Sequence, residues 1–316
     1  MSDPDASTPE PITGLHHVTG ISGTPEENVR FYTDVLGLRL VKKTVNFDDI
    51  TTYHLYYGDE IGSPGTIMTF FPFGGGQDGR VGRGQTSATA FIVPSGSLEY
   101  WQTRFDEYDV QYDDVKERFT ERVLPFTDED GQPLELITGN ADIEPWAESD
   151  IPSEVAIRGF HGVTLNSAHP EQTIEVLELM GYETTDNSDN RTRLVGAGNR
   201  AAVVDVLNNP DDRRGVQGVG TVHHVAFRVT DGEAQHEWRE TLSAHGLRVT
   251  SQKDRQYFRS IYAREPGGVL FEFATDGPGF DRDESIEALG SELKLPPWLE
   301  SDRETIETQL PPLQTE

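Results

Sequence analysis

An α+β fold of four β-α-β-β-β modules, curled into two open β-cups, is what this 316-residue chain predicts. Internal repetition carries the prediction. A short β-rich run recurs as Gly14-Leu15-His16-His17-Val18-Thr19, Gly159-Phe160-His161-Gly162-Val163-Thr164 and Thr221-Val222-His223-His224-Val225-Ala226, with a weaker copy at Thr86-Ser87-Ala88-Thr89-Ala90-Phe91-Ile92-Val93. Each run precedes a segment of helical periodicity, at 25–36, 97–108, 170–180 and 233–245. Pro25 and Pro170 open two of these helices, and Gly37, Gly181 and Gly246 stand just past three ends, as helix punctuation requires. Two or three strand-like runs then follow, at 39–45, 52–57 and 66–71 in the first module and 248–251, 260–263 and 269–273 in the fourth. The modules therefore span about 14–73, 86–138, 159–207 and 221–275.

The expected organisation is an unstructured N-terminus (1–12), a half holding modules 1 and 2 (13–150), a half holding modules 3 and 4 (151–277) and a polar C-terminal tail (278–316). The glycine-rich stretch 74–84 links modules 1 and 2, 139–158 joins the halves, and 208–220 links modules 3 and 4.

Composition narrows the function. The formal charge is −29, from 26 basic and 55 acidic residues. Only five of the basic residues are lysine, and the acids are spread along the chain, a pattern that fits a halophilic surface solvated at high salt. Such a charge argues against nucleic acid as a partner. No run of about 20 apolar residues offers a membrane span, and the polar, acidic start shows no signal peptide, so a cytoplasmic location is expected. The absence of cysteine excludes disulfides, thiolate metal sites and a cysteine nucleophile.

The layout resembles the vicinal oxygen chelate superfamily (glyoxalase/bleomycin resistance/dioxygenase) over 12–273. The run Phe31-Tyr32-Thr33-Asp34-Val35-Leu36-Gly37-Leu38 matches its helix-to-strand signature. Within that frame the histidine pairs His16-His17 and His223-His224 occupy matching module positions. Glu272 sits inside the apolar run Gly268-Val269-Leu270-Phe271-Glu272-Phe273, where a carboxylate needs a cation or a partner. Superimposing the modules puts Ala88, Gly162 and His224 at the His17 position, and Thr69 and Glu135 at the Glu272 position. If modules 1+2 and 3+4 formed the cups, each would hold one histidine and one glutamate. If 1+4 and 2+3 pair, one cup gathers His17, His224 and Glu272 and the other is vestigial. The second arrangement is expected. Two imidazoles and a carboxylate form the facial triad of non-haem Fe(II) oxygenases, although zinc hydrolases use similar ligands. Threonine at the fourth-ligand position argues for open coordination sites.

The run Asp254-Arg255-Gln256-Tyr257-Phe258-Arg259-Ser260-Ile261-Tyr262, followed by Arg264-Glu265, resembles the ring-cleaving hydroquinone dioxygenases of the superfamily. So do Leu40-Val41-Lys42-Lys43-Thr44-Val45-Asn46, Tyr53-His54-Leu55-Tyr56-Tyr57-Gly58-Asp59 and Leu295-Pro296-Pro297-Trp298-Leu299-Glu300. The resemblance implies an Fe(II) enzyme (Mn(II) as the alternative metal) that opens a para-dihydroxylated ring with O2. It implies metal ligands His17, His224 and Glu272, with His16, Thr19, His223, Arg255 and Tyr262 as active-site neighbours. Strand alternation puts Thr19 on the face of His17 but turns His16 and His223 away. The matching His161, in a module without metal, favours hydrogen bonding or packing for all three. His54 is a further candidate for the cup wall; His169, His236 and His245 are expected to be structural or exposed. The competing functions are an extradiol catechol dioxygenase, a glyoxalase-like metal-dependent lyase or isomerase, and a non-enzymatic binding protein of the bleomycin-resistance type. The expected partners are a small aromatic substrate and O2, with the tail long enough to pack across a second copy in a homo-oligomer.

Overall fold

The computed structural model describes residues 9–313. Module 1 runs β1 (Leu15–Ser22), α1 (Pro25–Arg30), β2 (Arg39–Asn46), β3 (Asp49–Gly58) and β4 (Ile67–Pro72). Module 2 comprises β5 (Gln85–Val93), α2 (Leu98–Glu107), β6 (Lys116–Arg118), β7 (Glu121–Thr127) and β8 (Pro133–Thr138). Module 3 comprises β9 (Phe160–Asn166), α3 (Pro170–Leu179), β10 (Glu183–Ser188), β11 (Arg191–Val195) and β12 (Val203–Leu207). Module 4 comprises β13 (Thr221–Val229), α4 (Gly232–Ala244), β14 (Lys253–Asp254), β15 (Arg259–Arg264) and β16 (Leu270–Thr275).

Two eight-stranded sheets result, ordered β14-β15-β16-β13-β1-β4-β3-β2 and β10-β11-β12-β9-β5-β8-β7-β6. The first joins modules 1 and 4 through antiparallel β1–β13 pairing; the second joins modules 2 and 3 through β5–β9. The expected pairing is thus the one observed. Aromatic and branched side chains drive it: Trp101, Trp238, Phe105, Phe160 and Tyr32 are all fully or almost fully buried beneath the sheets.

Local differences have local causes. The first helix widens into a π turn over Phe31–Val35, where Phe31, Tyr32 and Val35 are buried. The strand expected at 248–251 shrinks to a single bridge from Val249 to Ala263, and β14 forms later, at Lys253–Asp254. The two linkers pair with each other through the bridges Asp78–Val219, Arg80–Val216 and Arg83–Arg214.

Both chain ends depart from expectation. Residues 1–8 lie outside the described region, but the rest of the stretch expected to be unstructured is docked. Ile12 is buried, and its amide donates to the Met180 carbonyl. The tail packs on its own chain: Phe280, Leu289, Leu295 and Ile306 are buried. The fully buried Lys42 amine of β2 reaches Asp283 at 2.7 Å and also pairs with Glu284. A buried ammonium requires such partners, so Lys42 fastens the tail over module 1.

Candidate metal centre

β1 and β13 run side by side at the middle of the first sheet, and β16 lies beside β13 with Ala226 opposite Glu272. This register brings three distant side chains together. His17 Nε2 lies 3.2 Å from His224 Nε2. Glu272 Oε2 stands 2.8 Å from His224 Nε2 and 3.4 Å from His17 Nε2. All three residues are almost wholly buried.

The donor set fits a divalent ion. Glu272 Oε2 is buried yet accepts no hydrogen bond of acceptable geometry, although two imidazoles stand beside it. Cis ligands on bonds of about 2.1–2.2 Å stand about 3.0 Å apart, and tetrahedral neighbours about 3.5 Å apart. The three observed edges bracket the cis value. Burial pushes the Glu272 carboxyl up, but the His17 and His224 rings overcome this and hold it well below the usual carboxylate range.

The adjacent histidines complete the arrangement. His16 Nδ1 lies 2.9 Å from His17 Nδ1, and His223 Nδ1 lies 2.7 Å from His224 Nδ1. If Nε2 of His17 and His224 presents its lone pair to a cation, each Nδ1 carries the proton and donates it to the neighbouring ring. Ser260 Oγ donates to Glu272 Oε1, leaving Oε2 to face the other two ligand atoms. Strand alternation holds for His16, which packs on Phe258 away from the cavity. It fails for His223, which lines the cavity as well as reaching its neighbour. The register shifts in β1–β13, between Leu15 and His17 and between Thr19 and Gly20, are local irregularities of the kind that upset simple alternation.

Thr69 stands opposite Thr19, at the position that would supply a fourth ligand. Its hydroxyl lies 2.9 Å from Thr19 Oγ1 and 2.8 Å from His54 Nε2, while the Tyr56 hydroxyl meets His54 Nδ1 at 2.8 Å. Thr69 is thereby committed to a hydroxyl–imidazole chain, and Thr19 takes part in that chain and not in the cavity wall.

The triad faces a cavity of about 300 Å³ walled by Ile21, Phe47, His54, Tyr56, Phe71, Phe73 and Phe258. Such a volume and apolar lining suit one small aromatic ring. Arg255 and Tyr262 supply polar groups: Arg255 Nε donates to the Tyr262 hydroxyl at 3.1 Å. Arg255 Nη2 reaches Asp48 Oδ2 at 2.8 Å, across from module 1. Burial drives the Tyr262 hydroxyl upward, so it stays a neutral donor. Asp48 and Ser260 are the side chains that sequence reasoning did not single out; Asp48 sits in the β2–β3 turn, and only folding shows that it meets Arg255.

The remaining histidines serve elsewhere. His161 binds Glu121 at 2.7 Å, His236 lies 3.4 Å from exposed Glu240, and His245 caps the Thr241 carbonyl.

The second cup repeats the plan with guanidiniums in place of the two converging imidazoles. Asp205 faces Thr164 and Glu135 faces Ala90, the register positions that Glu272 holds opposite Ala226. Arg118 grips Glu135 at 2.7 and 2.6 Å. Arg193 binds Asp205 at 2.8 and 3.0 Å, and Arg191 joins at 2.7 Å. Arg193 also reaches Glu121 at 2.6 Å.

Comparison with known proteins agrees with this geometry. Residues 14–136 and 156–273 match the family model described as Glyoxalase/Bleomycin resistance protein/Dioxygenase superfamily. Bacillus subtilis (strain 168) MhqO and MhqE, provisionally named ring-cleaving dioxygenases, are 45% and 47% identical to this chain. The alignments cover 95% of this chain in both cases, and 96% and 99% of those proteins. The chlorohydroquinone/hydroquinone 1,2-dioxygenase of Sphingobium indicum is 39% identical over 94% of this chain and 96% of its own. A crystal structure of a provisionally named dioxygenase from Bacillus subtilis subsp. subtilis str. 168 superposes with a TM-score of 0.94 at 44% identity, covering 97% of this chain and 99% of that one. Glyoxalase I from Zea mays shares the fold alone, with a TM-score of 0.63 at 14% identity over 83% of this chain and 92% of its own. The chain belongs to the glyoxalase/bleomycin resistance protein/dioxygenase superfamily, within its ring-cleaving dioxygenase branch, and is an enzyme of the non-haem dioxygenase class.

Proposed function

We propose that this enzyme opens a hydroquinone-type ring with O2 at an Fe(II) ion held by His17, His224 and Glu272. The observation that carries the reading is the buried three-ligand face opening into a cavity walled by aromatic side chains and bounded by Arg255 and Tyr262. The Sphingobium relative, named for chlorohydroquinone and hydroquinone, supports the substrate class. When bound, Fe(II) would supply Lewis acidity toward a phenol oxygen and an electron path to O2. The commitment of Thr69 to Thr19 and His54 supports three protein ligands and argues against the four-ligand site of a glyoxalase-type isomerase.

The protein's own groups then have distinct tasks. His16 and His223 orient the ligand rings through Nδ1. The aromatic walls hold the substrate ring and exclude bulk water. Tyr262, steadied by Arg255, donates a hydrogen bond to developing negative charge on substrate oxygen. In the net reaction both oxygen atoms enter the substrate and one ring C–C bond breaks. The hydroxyl-bearing carbon becomes a carboxylic acid, and its neighbour becomes an aldehyde, or an acyl halide where it carried chlorine.

The test is oxygen uptake with chloro- or methylhydroquinone by protein reconstituted anaerobically with Fe(II), alongside a catechol. Uptake with hydroquinones and a ring-opened product supports the reading. Uptake with the catechol alone, or turnover that needs no oxygen, overturns it.

A further inference from the structure

A second cleft, about 540 Å³, lies where the paired linkers meet the β15–β16 turn. Its lining residues include Arg83, Arg214, Arg264 and His169, and among the described residues no aspartate or glutamate lines it. In a chain with 55 acids against 26 bases, this concentration of one sign is unexpected. The guanidiniums are also uncommitted to carboxylates. Arg83 donates to the Pro210 carbonyl at 2.8 Å and Arg264 to the Gly268 carbonyl at 2.6 Å. The Arg214 side chain is exposed and makes no polar contact among the described residues. Of the nearby acids, Glu265 is turned inward and held by the Gly267 and Val269 amides at 2.6 and 2.7 Å and by Thr173 at 2.7 Å, and Asp212 accepts from the Asn166 side-chain amide at 2.7 Å. Gly84 and Gly268, two of its lining residues, pack backbone to backbone. His223 lines both this cleft and the cavity facing the triad.

We propose that this basic cleft binds the carboxylate of the ring-opened product as it leaves the aromatic cavity past His223. The proposal rests on the ring-cleavage reading. That reaction turns an uncharged ring into a chain bearing a carboxylate, which is ionised at neutral pH. An anion is poorly suited to a wall of Phe47, Phe71 and Phe258 but well suited to guanidinium donors. His223 borders both environments, so the change in charge itself favours transfer from one to the other.

The probe is cis,cis-muconate, a six-carbon dicarboxylate, titrated calorimetrically into the full-length protein at fixed ionic strength, beside its dimethyl ester and inorganic phosphate. Muconate is expected to bind, the ester not to bind, and phosphate to bind more weakly. Arg214→Gln with Arg264→Gln, both on exposed side chains, is expected to weaken muconate about ten-fold or more. In oxygen-uptake assays muconate is expected to inhibit without competing with the hydroquinone. Oxygen uptake accompanied by phosphate binding as tight as muconate's, by muconate binding unchanged in the double variant, or by competitive inhibition overturns the cleft assignment and leaves ring cleavage standing. Absence of oxygen uptake with every hydroquinone overturns ring cleavage and, with it, the product assignment, even if muconate still binds through the arginines.

Discussion

The two cups solve the same electrostatic problem with different cations. Each places carboxylates at matching register positions in the interior of an eight-stranded sheet, Glu272 in one and Glu135 with Asp205 in the other. A buried carboxylate is costly without positive charge close by. The first cup meets it with two imidazoles whose free nitrogens converge with it, leaving Glu272 Oε2 without a hydrogen bond. The second meets it with guanidiniums, which satisfy both oxygens of each acid. One cup is therefore left wanting a cation and the other already contains its own. The function of this fold lies in an unfinished charge balance.

The first way to break that contrast is to remove the acid from each cup. Glu272→Gln is expected to lower metal content and oxygen uptake by more than about 100-fold, since a lost ligand should exceed the effect of a lost outer partner. Glu135→Gln should leave both unchanged per folded molecule. Metal analysis beside oxygen-electrode rates decides, and a metal-loaded, active Glu272→Gln protein would refute the ligand assignment.

Asp205→Asn tests the other side. It removes one of the two acids that hold Arg193, whose side chain is 7% exposed, and leaves Glu121 as the other. Breaking such a buried pair costs about 3–5 kcal/mol, which urea denaturation will read as a lower midpoint. A neutral result would mean that Glu121, already bound to Arg193, suffices as its partner. Restoring a ligand to this cup by Gly162→His is expected to disrupt the sheet, because a Cβ there overlaps the Val203 carbonyl.

A smaller effect is expected from His16→Gln or His223→Gln. Each removes a hydrogen-bond partner from a ligating ring, and metal affinity should fall roughly 10- to 100-fold with the three ligands intact. Chelator competition measures it. Smaller again is Asp48→Asn, which frees Arg255 on the module 1 side. A rise of a few-fold in KM is expected with little change in kcat, in keeping with the exposure of Asp48.

A fourth buried carboxyl uses neither solution and sharpens the contrast. Asp128 has no cation and is pushed up to about 7 by burial, partly opposed by hydrogen bonds from the Gln132 amide, the Tyr32 hydroxyl and the Asp130 amide. Between its ordinary value of 3.8 and about 7 the folded protein holds a proton that the unfolded chain releases. Its contribution to stability therefore declines as pH rises through that window and is level above it. Denaturation midpoints measured across that range should show this slope, and Asp128→Asn should flatten it.

Much of this was legible in the sequence because the modules repeat. The helix segments fell within a few residues of their observed bounds, since proline and glycine punctuate them physically. The pairing of modules 1 and 4 followed from asking which arrangement gathers His17, His224 and Glu272. The arginine cup was missed although its signal was present: Asp205 sits in Val203-Val204-Asp205-Val206-Leu207, an acid in an apolar strand like Glu272. Arg118, Arg191 and Arg193 come from short strands whose facing depends on sheet register, which local alternation does not give. His223 was misread for a related reason, since its position reflects local distortion more than strand period.

The facing Nε2 atoms of His17 and His224 belong to residues 207 positions apart, on strands of the first and fourth modules. During synthesis, then, the first imidazole emerges long before the carboxylate that completes its set. A ribosome-bound fragment offers no complete cradle for a metal ion, and capture must wait until Glu272 has emerged and its strand has folded back. Oxygen chemistry is thereby confined to finished molecules.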